Sequence, residues 1–199
     1  MPGPSRQQPK PSDLQPVEDF LRTRRRLRAG SLVGALLLLL VLVALDRWRG
    51  GFYAADDVRR YDGQRFRVAR VIDGDTIDLR VADGEYPTTR IRLWGVDTPE
   101  LASRDGSRPA EAWAQEATAF VKDHVQGRSV TLHLEPHRRR GRFGRLLAYV
   151  ELEDGTLLNA RLIEAGLSPA DDRWSHSRSA AFLQLEAQAK QQEVGLWSP

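Results

Sequence analysis

Seventeen consecutive residues without a charge, Ala29 to Leu45 (AGSLVGALLLLLVLVAL), constrain this 199-residue chain more than any other feature. As an α-helix at about 1.5 Å per residue the run is about 26 Å long, the short end of what crosses a bilayer. Five arginines (Arg22, Arg24, Arg25, Arg26 and Arg28) stand just ahead of it, and Arg47, Arg49, Arg59 and Arg60 follow. The competing reading is a cleaved signal peptide. The tail before the run is long for that, and no A-x-A-like site follows Leu45 directly, although Ala54–Ala55 offers a late one. The run therefore reads as an uncleaved signal anchor. The denser basic cluster puts the N-terminus in the cytoplasm and the C-terminal part outside, with Trp48 at the far interface.

The run also partitions the charge. The chain carries +3 with a pI of about 9.6, which invites a nucleic-acid or membrane-surface partner. Residues 1–28 hold seven basic and three acidic side chains, whereas residues 50–199 hold 21 basic and 23 acidic ones. The basic excess thus belongs to the tail, and the globular part is slightly acidic. Cysteine is absent, which excludes a disulfide framework and any thiolate nucleophile or metal ligand. The expected organisation is a disordered basic cytoplasmic tail (1–28), a transmembrane signal anchor (29–45), a juxtamembrane linker (46–62) and one globular domain (63–199).

Within that domain, residues 66–73, 76–81 and 88–96 are β-branched or alternating runs separated by Gly/Asp turns, which predicts a three-strand meander. A helical pattern over 109–126 ends at Gly127. Strands are expected over 129–135 and 144–152, and helices over 157–165 and 179–193, ending at Gly166 and near Gly195. The predicted class is α+β, a five-stranded OB-fold-like β-barrel with about three helices, preceded by one transmembrane helix.

Three polar segments interrupt this pattern. Ile72-Asp73-Gly74-Asp75-Thr76 lies between the first two strands and taken alone is a hairpin turn. Arg92-Leu93-Trp94-Gly95-Val96-Asp97-Thr98-Pro99-Glu100 puts an arginine in a strand and two carboxylates beyond its end. Gly144-Arg145-Leu146-Leu147-Ala148-Tyr149 opens the fifth strand. Each has a plain structural reading by itself.

In this order and spacing, I-D-G-D-T, then R-x4-D-T-P-E, then G-R-x2-A-Y, together with the ending Gly-Leu-Trp-Ser, the chain resembles the staphylococcal nuclease (thermonuclease) family from Phe66 to Pro199. The resemblance implies Ca²⁺-dependent hydrolysis of DNA and RNA phosphodiesters, with the 5′-oxygen leaving and 3′-phosphates produced. It implies Asp75, Asp97 and the Thr98 carbonyl as ligands of the cation, Glu100 as holder or general base of the attacking water, and Arg92 and Arg145 as catalytic phosphate grips. Those residue types suit the task. A hard cation takes carboxylate and carbonyl oxygens, and arginine offers paired donors to phosphate.

The chain departs from the family pattern just before Arg145, where Gly141 and Phe143 replace an acidic residue and a tyrosine. It departs again at Asp171-Asp172-Arg173-Trp174, where an aromatic-rich base-stacking stretch is largely replaced. Arg138, Arg139, Arg140 and Arg142 form the one basic run of the folded part and, with Phe143 and Trp174, are candidate nucleic-acid contacts. The expected partners are a DNA or RNA substrate and a lipid bilayer through residues 29–45. The alternative function is a non-catalytic, membrane-tethered OB-like nucleic-acid-binding module.

Overall fold

The computed structural model describes Gly34, residues 36–44, residues 51–103 and residues 105–199, without the side chains of 51–55. The chain separates into two compact units, Met1–Phe52 and Tyr53–Pro199. In the first, residues 36–44 are helical and the side chains from Leu36 to Val43 are exposed. Among the described residues no helix is long and apolar enough to cross a membrane. The expected tail and the remainder of the apolar run lie outside the described residues.

The second unit is a closed barrel. Strands β1 (Arg65–Val71), β2 (Thr76–Leu79), β3 (Thr89–Leu93), β4 (Ser129–His133) and β5 (Leu146–Glu151) pair in the order β1-β2-β3-β5-β4, and β4 returns to β1. All pairs are antiparallel except β3 with β5. Successive side chains of a strand point to opposite faces. Val68, Ile77, Leu79, Ile91, Leu93, Val130, Leu132, Leu146, Ala148 and Val150 accordingly form the buried interior. Closure leaves no unpaired strand edge, which a slightly charged, mid-sized domain would otherwise expose to self-association.

Among the described residues the helices that accompany the strands are α1 (Gly51–Tyr61), α2 (Ala114–Val125), α3 (Leu158–Glu164) and α4 (Ser179–Gln191). The stretch 46–62, expected as a linker, therefore carries α1, whose end is part of the barrel unit. Tyr61 is fully buried and its hydroxyl lies 3.1 Å from Thr89 Oγ1 at the start of β3. The reason for the difference is physical. Among the described side chains of α1, Tyr61 and Asp57 are the buried ones, and a tyrosine with a carboxylate is not an apolar period that announces a packed helix.

Helix α2 presents Ala117, Val121 and Val125 inward at four-residue spacing. It starts at Ala114, five residues later than the periodicity suggests, because Trp113 adopts a left-handed backbone (φ 68°). Asn159 of α3 is fully buried. It accepts from Val150 N at 2.9 Å and donates to Trp94 O at 2.9 Å, so one side chain fixes both β5 and the turn after β3. The C-terminal Gly195–Trp197 3-10 turn closes against the end of α3, where Leu196 N donates to Gly166 O at 2.8 Å. Glycine is required at both contact points, since a Cβ on Gly166 would strike Val194 O and one on Gly195 would strike Gly166 O.

Candidate active site

The three polar segments meet because β2, β3 and β5 are neighbours. On the outer face Thr76 pairs with Arg92, and Arg92 pairs with Leu147, two residues after Arg145. The β1–β2 turn is held tightly. Asp75 N donates to Asp73 Oδ1 at 3.1 Å, and Leu93 N donates to Asp75 O at 2.8 Å. Gly74 is there because the turn packs flat against the next segment: a Cβ would lie 2.6 Å from Thr98 Oγ1 and 2.9 Å from the Ala117 Cβ.

Asp75 is buried and fully engaged. Its Oδ1 accepts from Thr76 Oγ1 at 3.0 Å, and its Oδ2 accepts from both Thr98 N and Thr98 Oγ1 at 3.1 Å. The same Oδ2 is ion-paired with Arg92 Nη1, while Arg92 Nη2 reaches Asp97 Oδ1 at 2.6 Å. One guanidinium thus draws together two carboxylates that are 22 residues apart in sequence. Burial lowers the pKa of Arg92, with Asp97 opposing the shift, and arginine remains a cation throughout the physiological range. Burial raises the Asp73 carboxyl against the pull of Thr76 and Arg92.

Asp97 is further fixed from outside the three segments. Its backbone N donates to Ser168 Oγ at 2.9 Å, and its Oδ2 accepts from Arg173 Nη2 at 2.9 Å. Arg173 also grips Asp171 through Nε–Oδ1 at 2.7 Å and Nη2–Oδ2 at 2.8 Å. The Asp171 bond, aided by Asp97, raises Arg173. Burial pushes Asp171 up, but Arg173 outweighs it and the carboxyl lies below its usual range. Arg173 is therefore a site residue that sequence reasoning passed over. Its only signal is position within Asp171-Asp172-Arg173-Trp174, and its partner Asp97 is 76 residues away.

Arg145 stands at this cluster without a salt bridge among the described residues, and its Nε is buried with no hydrogen-bond partner. It lines a cleft of about 230 Å³ together with Arg92, Arg138, Asp171, Arg173 and Trp174. Arg138 lies 3.8 Å over the Trp174 ring, and its Nη1 is also buried and unpartnered. Glu100 does not join Arg92, Asp75 and Asp97 in their hydrogen-bonded cluster. Its half-exposed carboxylate pairs with Arg108 at 3.2 Å, while its backbone N donates to Glu111 Oε2 at 2.9 Å.

The basic run 138–142 divides. Arg140 is committed elsewhere: Nε and Nη2 bind Asp57 at 2.7 and 2.6 Å, Nη1 binds Asp83 Oδ2 at 2.7 Å, and Nη1 also donates to Gly144 O at 3.0 Å. Arg139 turns a buried, unpartnered Nε inward. Arg142 and Arg145 both lie near the Phe143 ring, at 5.7 and 5.9 Å from its centroid, and that ring is exposed.

Among the described residues no three His, Cys, Asp or Glu side chains form a metal-binding group. The donors fit a hard cation in a sparser way. Asp75 and Asp97 supply carboxylates held together by Arg92, and the Thr98 carbonyl oxygen accepts no hydrogen bond among the described residues. Every oxygen of the two carboxylates is engaged, by Thr76, Thr98, Arg92 or Arg173, so a cation there would share or displace those contacts, with the Thr98 carbonyl as the one uncommitted donor.

Comparison with known proteins identifies the family. Residues 90–199 match the family model described as Staphylococcal nuclease homologue. The thermonuclease of Staphylococcus intermedius is 29% identical over 175 residues, covering 87% of this chain and 98% of the relative. An uncharacterised endonuclease of Escherichia coli O157:H7 is 34% identical over 132 residues, covering 66% of this chain and 76% of the relative. The micrococcal nuclease of Shigella flexneri is 31% identical over 142 residues, covering 67% and 74%. The chain belongs to the staphylococcal nuclease homologue family.

Proposed function

We propose that the chain is a Ca²⁺-dependent nuclease that hydrolyses phosphodiester bonds of DNA and RNA and leaves 3′-phosphates. Its class is that of a nuclease hydrolase, as its relatives' names and its family indicate. The single observation that carries the reading is that Arg92, which clamps Asp75 and Asp97, lines one cleft with Arg145, whose buried Nε has no partner among the described residues.

In hydrolysis a water oxygen bonds to phosphorus, the P–O5′ bond breaks, and negative charge builds on the non-bridging oxygens. Arg145 is the donor with unused capacity to meet that charge, and Arg92 is oriented by two carboxylates to do the same. A hard cation held by Asp75, Asp97 and the Thr98 carbonyl would neutralise the phosphate and favour attack. Glu100 would hold or deprotonate the water once its carboxylate leaves Arg108. The binding-module alternative draws support from one feature, the Glu100–Arg108 pair that keeps the proposed base away from the cluster.

The test uses the full chain in detergent with single-stranded DNA. Ca²⁺ should support release of nucleotides carrying 3′-phosphates, and a chelator should abolish it. Tight binding without turnover would overturn the enzymatic reading.

We also propose that residues 29–45 anchor the chain with its N-terminus in the cytoplasm and its nuclease domain outside. The seventeen uncharged residues, the five arginines before them and the exposed leucines of the helical residues 36–44 support this. Intact cells should then degrade added DNA as fast as broken ones, and activity only after breakage would overturn the orientation.

A further inference from the structure

A second, larger cleft of about 860 Å³ opens beside Arg145. Its wall carries Arg70, Arg90, Arg140 and Arg145, with Tyr86 and Phe143 on the rim. Arg70, Asp78 and Arg90 form a cross-strand ladder on the outer face of β1, β2 and β3, where Asp78 pairs with Arg70 in one register and Arg90 in the other. The carboxylates that orient these arginines lie behind them. Asp78 is fully buried and accepts from Arg70 Nε at 2.8 Å, from Arg90 Nε at 2.8 Å and from Arg90 Nη2 at 3.1 Å. Both Nη groups of Arg70 and Nη1 of Arg90 accordingly have no hydrogen-bond partner among the described residues. A wall carrying four guanidinium groups, with Asp78 buried beneath two of them, suits a run of phosphates.

The rim supplies the complementary element. Tyr86 is 72% exposed and Phe143 76% exposed, unusual for large aromatic side chains in a domain with an ample core. A basic groove edged by open aromatic faces is the arrangement that tracks single-stranded nucleic acid, phosphates on the arginines and bases on the rings. The outer face of strands 2 and 3 is also where OB-type barrels take up oligonucleotides. Arg145 lines both clefts, so a strand gripped there at the scissile phosphate can continue in either direction.

We propose that this groove over β1, β2 and β3, marked by Arg70, Arg90, Tyr86 and Phe143, binds the single strand on the side of the scissile phosphate away from Trp174. The chain thereby engages a strand internally and cuts without needing an end. This inference rests on the nuclease reading for its substrate, but its binding arm does not depend on catalysis.

Two variants test it. Tyr86→Ala removes an exposed ring. Arg70→Gln removes a cation while Arg90 keeps the buried Asp78 paired. Fluorescence anisotropy in chelator compares an oligothymidylate of about 16 nucleotides, the upper range of single-strand site sizes, with a trinucleotide. Each variant should weaken the long strand by about tenfold, in line with stacking and phosphate contacts elsewhere, and leave the trinucleotide within about twofold. With Ca²⁺, closed circular single-stranded DNA should be cut by the full chain and about tenfold more slowly by each variant at low substrate. If the variants lose long-strand affinity although no form cuts DNA, the groove stands and the nuclease reading falls. If cutting persists and the variants bind long and short strands as the unaltered chain does, the groove falls and the nuclease reading stands.

Discussion

Two arginines of this domain each clamp a pair of carboxylates from distant parts of the chain, and they do so to different ends. Arg140 joins Asp57 of α1 to Asp83 of the β2–β3 loop, using Nε, Nη1 and Nη2, and adds the Gly144 carbonyl. Every nitrogen has a partner, and the bonds to Asp57, with those to Asp83, raise its pKa against burial. The clamp is closed. Arg92 joins Asp75 to Asp97 by its two terminal nitrogens, and burial lowers its pKa. Arg92 itself lines a cleft, and the neighbouring Arg145 has a buried nitrogen with no partner among the described residues. The same chemical unit is thus a strut where its hydrogen bonds are satisfied and a site where they are left incomplete. Buried polar groups are normally paired, so an unpaired one beside a cluster points to a missing ligand.

The most damaging test of this contrast is Arg145→Ala. If the unpaired guanidinium serves the transition state, kcat should fall by about 10²–10³, the loss seen on removing one preorganised donor. Melting should hardly move, because no salt bridge or side-chain hydrogen bond of the described residues is broken. Arg145→Lys should recover little, since a single ammonium cannot donate in the paired geometry. A variant that retains activity while losing stability would make Arg145 a strut like Arg140.

The closed clamp should behave oppositely. Asp57→Asn replaces a carboxylate that is almost entirely buried and should cost about 2 kcal/mol, below the full penalty for breaking a wholly buried pair because Arg140 keeps Asp83 and some solvent. For a chain of this size that is about 4–8 °C in melting temperature. Activity below the transition should stay within about threefold, as read in a single-turnover assay on folded protein. A comparable loss of stability, with a loss of activity besides, is expected of Gly74→Ala. The added methyl meets Thr98 and Ala117, and overpacking costs about 1–3 kcal/mol. Thr98 bonds Asp75, so this variant should lose activity as well as stability, unlike Asp57→Asn.

The contrast also explains what the sequence could tell. The strands were legible because their inward positions alternate with outward ones, and the meeting of Asp75, Arg92, Asp97 and Arg145 was legible, though not the position of Glu100, because I-D-G-D-T, R-x4-D-T-P-E and G-R-x2-A-Y each keep their spacing on neighbouring strands. The family follows from those motifs. The Arg140 clamp and the Arg173–Asp97 bond were not legible, since Arg140 meets carboxylates 83 and 57 residues away and Arg173 meets one 76 residues away. Read along the chain, Arg138 to Arg142 is one basic run. In the fold Arg140 is neutralised by α1 and the β2–β3 loop, Arg138 is stacked on Trp174, and Arg142 faces Phe143. Helix α1 was missed for the same reason: among its described side chains, Asp57 reaches Arg140 83 residues away and Tyr61 reaches Thr89 28 residues away.

A third polar centre gives the smallest effect and a further check on closed against open. Tyr149 donates to Glu135 at 2.6 Å and lies 2.9 Å from His176 Nδ1, while Ser177 donates to Glu135 through both its backbone N and its Oγ. Burial raises Glu135, but the Ser177 and Tyr149 bonds outweigh it and its pKa is lowered. Burial lowers His176 from its ordinary 6.5, with Glu135 opposing. Both shifts carry the same sign of linkage. The unfolded chain takes up the histidine proton as pH falls through about 6.5, before the folded form does, so stability declines below that pH and is flat above it. The folded Glu135 holds its charge below 4.5, so its contribution is present above that value and is lost as pH falls through the lowered folded pKa. Melting temperature measured from pH 8 to pH 4 should thus stay level, then decline below about 6.5. His176→Asn should flatten the first part of the decline and leave the acid limb. His176 is buried between Trp94 and Phe182, and all of the hydrogen bonds above stay within this centre. Activity on folded protein should therefore not follow the histidine step, and an activity profile that tracks His176 would place this centre with the open site rather than with the closed clamp.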